Sequence, residues 1–391
     1  MLSVYQFQTA DRIIAGANTL SQLREHLPAI HPRIQRALIV TQPTVQRKGY
    51  SGVIEQQLTE QGIAFDVCTA ILPEPTAQNI EETFAAYNGN RYEIIIGLGG
   101  GSVLDAAKIL SVLMTNEQKI ADMLGTNVVA KPGVATVLIP TTSGTGSEVT
   151  PNAIVTFPDQ ELKIGIVSPF LLPKLVILDP VLTLELPKPI TAATGMDAFT
   201  HALESFISNK ANYFSDMFAL ESIRLISSSI IEAYENGSSL EAREKMLLGS
   251  TYGGMALTAA GTAAVHALAY PLGGKYGIPH GVANSMLLPG VMAFNMDHCV
   301  DRLHLVAGPM GIETAGLEPE AAAHRVIAKI REWTEKLEIP QDLTAYGVQE
   351  ENVEALAQAA SQVTRLLNNN PKVLSLDDMK MIYRSLIVKT D

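Results

Sequence analysis

Cysteine is nearly absent from this chain. Its 391 residues hold two, Cys68 and Cys299. Two scattered thiols exclude a disulfide framework, show no metal-type spacing and point to a reduced compartment. Positive charge is also short: 28 Lys and Arg face 40 Asp and Glu, for a net charge of −12. That balance argues against a nucleic-acid or acidic-membrane partner, since either attracts a basic surface. No apolar run reaches the ~18 residues needed to span a bilayer. The segment Met1–Arg12 lacks the basic stretch and long apolar core of a signal peptide. Low-complexity tracts and repeats at a solenoid period are missing too. These absences imply a soluble, cytoplasmic protein.

The length suffices for two domains, each with its own core. In the first half, short apolar runs rich in β-branched residues alternate with amphipathic stretches. Candidate strands are Ala37–Thr41, Ala64–Cys68, Glu93–Gly97, Ala135–Pro140 and Leu175–Asp179. Continuous apolar strands separated by helical patterns predict a parallel sheet covered on both faces, a Rossmann-like α/β domain over residues 1–185. Prolines then cluster at Pro180, Pro187 and Pro189, and strand-like runs nearly vanish. Residues 186–391 carry helical periodicity and predict an all-helical second domain. A site in a cleft between the two is expected, a common location for cofactors.

Two glycine- and hydroxyl-rich stretches follow strands. Gly99, Gly100 and Gly101 form a turn that lets the backbone approach an anion. Ser102 then opens a helix whose first amides favour a pyrophosphate. The spacing is not the usual G-x-G-x-x-G, and such turns often bind nothing. A second loop, Pro140–Glu148 (PTTSGTGSE), packs hydroxyls and glycines suited to phosphate or ribose oxygens. Lys163 offers a cation to the same site, although a lone lysine of this kind more often lies on a solvated surface.

Farther along, Asp197 and His201 stand four apart in an apolar helical window, hence on one face. His266 and His280 bring two more imidazoles. A buried carboxylate and imidazole need partners. One carboxylate with three imidazoles suits a divalent transition metal, and both Zn2+ and Fe2+ accept that set. The alternative for each histidine is a hydrogen-bonded core residue.

Five segments in order resemble the iron-containing (group III) alcohol dehydrogenase family. They are Gly97–Lys108 (GLGGGSVLDAAK), Ile139–Thr150 (IPTTSGTGSEVT), Ala192–Glu204 (AATGMDAFTHALE), His266–Gly274 (HALAYPLGG) and Ile278–Asn284 (IPHGVAN). The resemblance implies a dehydroquinate synthase-like architecture and metal ligation, usually of Fe2+, by Asp197, His201, His266 and His280. It implies NAD held by Gly99, Gly100, Gly101, Ser102, Thr141, Thr142 and Thr145, with Asp105 and Lys163 as lesser candidates. It further implies a homodimer or larger assembly. The activity implied is hydride transfer between a small alcohol and its aldehyde or ketone, with the substrate oxygen on the metal.

Several positions depart from the family pattern. Tyr270 stands where many members have a histidine near the nicotinamide, so a proton relay by that route is open to question. Leu257 and Ala259 replace a Phe and an Asn, which reshapes the substrate pocket. Gln42 stands where many NAD-dependent members place an Asp, removing a charge barrier to a 2′-phosphate and leaving NADP admissible. Glu74 occupies a position that is often Asn. Competing readings are a metal-independent reductase of the same superfamily, an NAD- and metal-dependent lyase or cyclase of the dehydroquinate synthase type, and a non-catalytic dinucleotide-binding protein.

Overall fold

A computed structural model describes residues 4–158 and 162–388. Nine strands are present among these: β1 (Ile13–Ala15), β2 (Arg36–Val40), β3 (Ala64–Cys68), β4 (Ile94–Gly99), β5 (Gly125–Thr126), β6 (Ala135–Pro140), β7 (Asn152–Phe157), β8 (Leu162–Val167) and β9 (Leu175–Leu178). Six form one sheet in the order β1-β9-β6-β4-β2-β3. Every pairing in it is parallel.

The apolar strands explain the sheet. Ile95, with Leu38, Val40 and Leu138, packs into one buried cluster. Ile94, Ile96 and Leu98, with Ala37, Ile39, Val137 and Ile139, pack into another. Successive side chains therefore alternate between two covered faces, and each fully buried aliphatic contributes roughly 1.5–3 kcal/mol. The five runs expected as strands correspond to β2, β3, β4, β6 and β9. The short β1 was not anticipated, because three residues carry no readable period. Nor was the small sheet β5-β8-β7, in which β7 and β8 pair antiparallel.

The described residues cluster into two compact units: Gln8–Thr142 with Gly146–Glu185, and Leu186–Asp391 with Met1–Phe7 and Ser143–Thr145. The second is helical. Its principal helices are Lys188–Ile207, Tyr213–Ser227, Leu240–Ala260, Ala264–Tyr276, His280–Val306 and Pro319–Lys336. They surround a core that includes Phe199, Phe206, Leu268, Met292 and Trp333. Among the described residues no single helix is long and apolar enough to cross a membrane. Helices 240–260 and 264–276 reach that composition only as a pair bent by 108°.

Candidate metal centre and nucleotide loops

Helix 188–207 carries Asp197 and His201 one turn apart, both buried. Helix 264–276 brings His266 in its first turn, and helix 280–306 opens with His280. Close approach of two helices sets the last position. A Cβ on Gly281 would stand 2.2 Å from the backbone oxygen of Ala193, so only glycine lets the start of helix 280–306 lie this near helix 188–207.

One ligand atom from each of Asp197, His201, His266 and His280 lies within 4.8 Å of all the others. The Asp197 Oδ1 stands 3.9 Å from His201 Nε2, 3.9 Å from His266 Nε2 and 3.7 Å from His280 Nε2. Ligand atoms around one transition-metal ion with bonds of about 2.1 Å are spaced roughly 3–4 Å apart. The rings of His201 and His266 stack with centroids 4.7 Å apart. His280 is the most open of the four, its side chain 29% exposed. Tyr270, one turn after His266, has its ring centroid 6.0 Å from that of His280.

The chemistry of the donor set fits a divalent cation. His201 Nδ1 lies 3.3 Å from the carbonyl oxygen of Gly144, and His266 Nδ1 lies 2.6 Å from a carboxylate oxygen of Glu204. A carbonyl or carboxylate oxygen only accepts, so both Nδ1 atoms carry the proton and both Nε2 lone pairs face the cluster. Burial pushes the His201 pKa down, outweighing nearby Asp197, and so keeps the imidazole neutral as ligation requires. Burial alone would push the Asp197 carboxyl up. The facing His201, His280 and His266 and the Asn284 amide hold it below the ordinary carboxylate range. Asn284 donates to Asp197 Oδ1 at 2.7 Å, with its amide nitrogen 3.2 Å from the Nε2 atoms of both His266 and His280.

Three residues around this cluster were not singled out from sequence. Glu204 is three residues beyond His201 and seven beyond Asp197, hence on the same helix face. Asn284 follows His280 by one turn. Those spacings were legible; the Gly144 carbonyl, a backbone group, left no signal.

In the α/β unit, Gly99 ends β4 and Gly100 caps helix Gly101–Leu113 in extended conformation. A Cβ on Gly99 would stand 2.7 Å from that of Val103. Thr141 donates its N–H to Gly99 O at 3.0 Å, tying the second loop to the first turn. Gly100 faces Thr142: an added Cβ would meet its side chain at 3.4 Å. Gln42 caps the short helix Pro43–Arg47 just past β2. All of these lie at the carboxyl ends of neighbouring parallel strands, where such sheets bind ligands. Thr145 belongs to the short segment grouped with the helical unit.

Two cofactor candidates have partners that the sequence did not show. Lys163 is not a solvated surface lysine. Its side chain is 7% exposed and pairs with Glu74 at 3.0 Å. Glu74, at φ 52°, donates its N–H to Ser102 Oγ, so this ion pair borders the glycine turn. Asp105 has its carboxylate engaged elsewhere, by Ser147 Oγ, by Ile154 N–H at 2.9 Å and by Lys108 Nζ at 3.3 Å. It anchors the second loop.

Comparison with known proteins agrees with both halves. Residues 10–180 match the family described as iron-containing alcohol dehydrogenase, and residues 191–387 match its C-terminal counterpart. The chain is 37% identical over 356 residues to long-chain-alcohol dehydrogenase 1 of Geobacillus thermodenitrificans (strain NG80-2), covering 90% of each chain. It is 32% identical over 374 residues to the NAD-dependent methanol dehydrogenase of Bacillus methanolicus, covering 96% of this chain and 97% of that one. A crystal structure of 1,3-propanediol oxidoreductase superposes with a TM-score of 0.94 at 33% identity, over 98% of this chain and all of that chain (100%). These likenesses define an alcohol–aldehyde oxidoreductase. The chain belongs to the iron-containing alcohol dehydrogenase family, and so to a group that works with a divalent metal and NAD(H).

Proposed function

We propose that Asp197, His201, His266 and His280 hold Fe2+, with Zn2+ as a substitute, and that this centre interconverts a small primary alcohol and its aldehyde. The convergence of the four ligand atoms within 4.8 Å carries this reading. A divalent ion bound there would supply Lewis acidity toward the substrate oxygen. The residues of the chain do the rest. The acceptors on Nδ1 of His201 and His266 keep both rings in the tautomer that presents Nε2. The half-open side at His280 is where a substrate can enter. The apolar wall of buried helices limits water around the reacting carbon.

The dinucleotide is assigned to the carboxyl ends of β2, β4 and β6. Backbone amides of Gly100, Gly101 and Ser102 take the pyrophosphate at the helix start, and Thr141, Thr142 and Thr145 add hydroxyl donors. Lys163, with Glu74, borders this turn and suits a ribose hydroxyl or phosphate oxygen. NAD is the favoured nucleotide, as in the named methanol dehydrogenase relative. Gln42 brings no negative charge to the end of β2 and leaves NADP acceptable. Relatives named for methanol, long-chain alcohols and 1,3-propanediol support a substrate among unbranched primary alcohols. Tyr270 takes part by hydrogen bonding, because a phenol with a reference pKa of about 10 is a weak proton shuttle at neutral pH.

The test is to load the metal-free protein with Fe2+ anaerobically, or with Zn2+, and follow nicotinamide absorbance. Short and long alcohols are supplied with NAD+ and NADP+, and the matching aldehydes with the reduced cofactors. Metal-dependent turnover is expected. Dinucleotide binding without turnover under any metal would overturn the reading.

A further inference from the structure

Glu204 is a fully buried carboxylate in the interior of a helix, where an acidic side chain requires a reason. It projects from helix 188–207, one turn beyond His201, toward the start of helix 264–276. There it accepts three hydrogen bonds: from Ala263 N–H at 3.0 Å, from Val265 N–H at 2.6 Å and from His266 Nδ1 at 2.6 Å. The two backbone donors are among those a helix start leaves without partners, and a carboxylate there is also favoured by the helix dipole. Their carrier is itself held in place. The turn into helix 264–276 is tied by Asn369 Nδ2 to Thr262 O at 2.8 Å and by Ser208 Oγ to Ala260 O at 2.8 Å. With both oxygens already accepting backbone N–H groups, the carboxylate can only accept from the imidazole, so its negative charge lies against His266.

Charge balance gives this arrangement a second consequence. Asp197 with three neutral imidazoles leaves a divalent ion with one net positive charge, in a site where Asp197, His201 and His266 are all buried. Uncompensated charge in such surroundings is strongly unfavourable. Glu204 supplies the missing negative charge one imidazole away from the ion. We propose that Glu204 is the positioning residue of the metal centre: it fixes the His266 tautomer and completes the neutralisation of a divalent cation. The inference rests on the metal-site assignment above.

The experiment compares wild type, Glu204→Gln, Glu204→Asp and His266→Ala, each stripped of metal. Affinities for Zn2+ and Co2+ are measured by competition with a chromophoric chelator, and the visible spectrum of the Co2+ form is recorded. Glutamine keeps the size and one acceptor oxygen but removes the charge. Its affinity should fall about 10- to 100-fold, with an altered Co2+ spectrum, and aspartate should recover part of the loss. The Tm rise on adding Zn2+ should shrink in Glu204→Gln, whereas a cap acting only on the helix would lower Tm with and without metal alike. Unchanged affinity and spectrum in a folded Glu204→Gln protein would overturn the proposal. Failure of wild type itself to bind either ion would instead overturn the metal-site assignment. Should every Glu204 variant fail to fold, 15N NMR of histidine in the wild-type metal-free protein decides. His266, identified as the signal lost in His266→Ala, should carry its proton on Nδ1 at low field. A proton on Nε2 would overturn the proposal.

Discussion

The Nδ1 of His201 lies 3.3 Å from the carbonyl oxygen of Gly144. The His201 ring is thereby oriented by a backbone carbonyl. Gly144 is packed tightly enough that a Cβ would stand 2.7 Å from that of Thr194. Gly144→Val should push the carbonyl off His201 and weaken Co2+ binding roughly tenfold, as loss of an outer-shell partner does. A Co2+ titration equal to wild type would disprove the coupling.

Removing a ligand outright should have a larger effect. Asp197→Ala or His266→Ala is expected to abolish metal loading and lower turnover by more than the roughly 100-fold upper range for outer-shell changes. Dinucleotide affinity should stay near wild type, because the glycine turn and its sheet are untouched. Metal analysis together with nucleotide fluorescence titration checks both halves of the statement.

Lys108 is fully buried in helix 101–113 and binds the loop after β6 from beneath. Its ammonium donates to Ser147 O at 2.7 Å, Thr150 O at 3.3 Å and Asn152 O, and pairs with Asp105. Burial pushes its pKa down, with Asp105 and Glu148 opposing that shift. Lys108→Met would leave Asp105 and three carbonyls short of a partner. A loss of about 3–5 kcal/mol is expected, as for other broken buried pairs. Chemical denaturation of the two proteins measures it.

Nucleotide choice should respond to charge at the end of β2. Gln42→Asp places a carboxylate where an adenosine 2′-phosphate would lie. NADP affinity should drop about tenfold or more, with NAD affinity little changed. Equal effects on both nucleotides would move the adenosine site elsewhere.

Both thiols should be inert in the folded protein. Burial raises the pKa of Cys68, and it pushes Cys299 up to about 12. Since the thiolate is the reactive form, alkylation near pH 8 should be negligible until denaturant is added. Rapid labelling of either cysteine in the native state would contradict this.

How much of this was legible before the structure depends on the kind of interaction. Glu93–Gly97 reads as a strand buried on both faces because unbroken aliphatic runs have few other stable settings. Asp197 and His201 could be paired because helical spacing is local geometry. The antiparallel β7–β8 pairing was missed because a short, half-exposed strand such as Asn152–Phe157 alternates too weakly to stand out.

The chain order alone therefore determined the parallel sheet, the helical half and the identity of four metal-suited side chains, since periodicity and residue chemistry are properties of short windows. Only the tertiary structure decided that Asp197 and His280, 83 residues apart, face each other at 3.7 Å. It alone set Glu204 against His266, and turned Lys163 from a surface lysine into a nearly buried partner of Glu74. Those outcomes depend on which helix faces and loops pack together, down to the absence of a Cβ at Gly281, and that is a property of the whole fold.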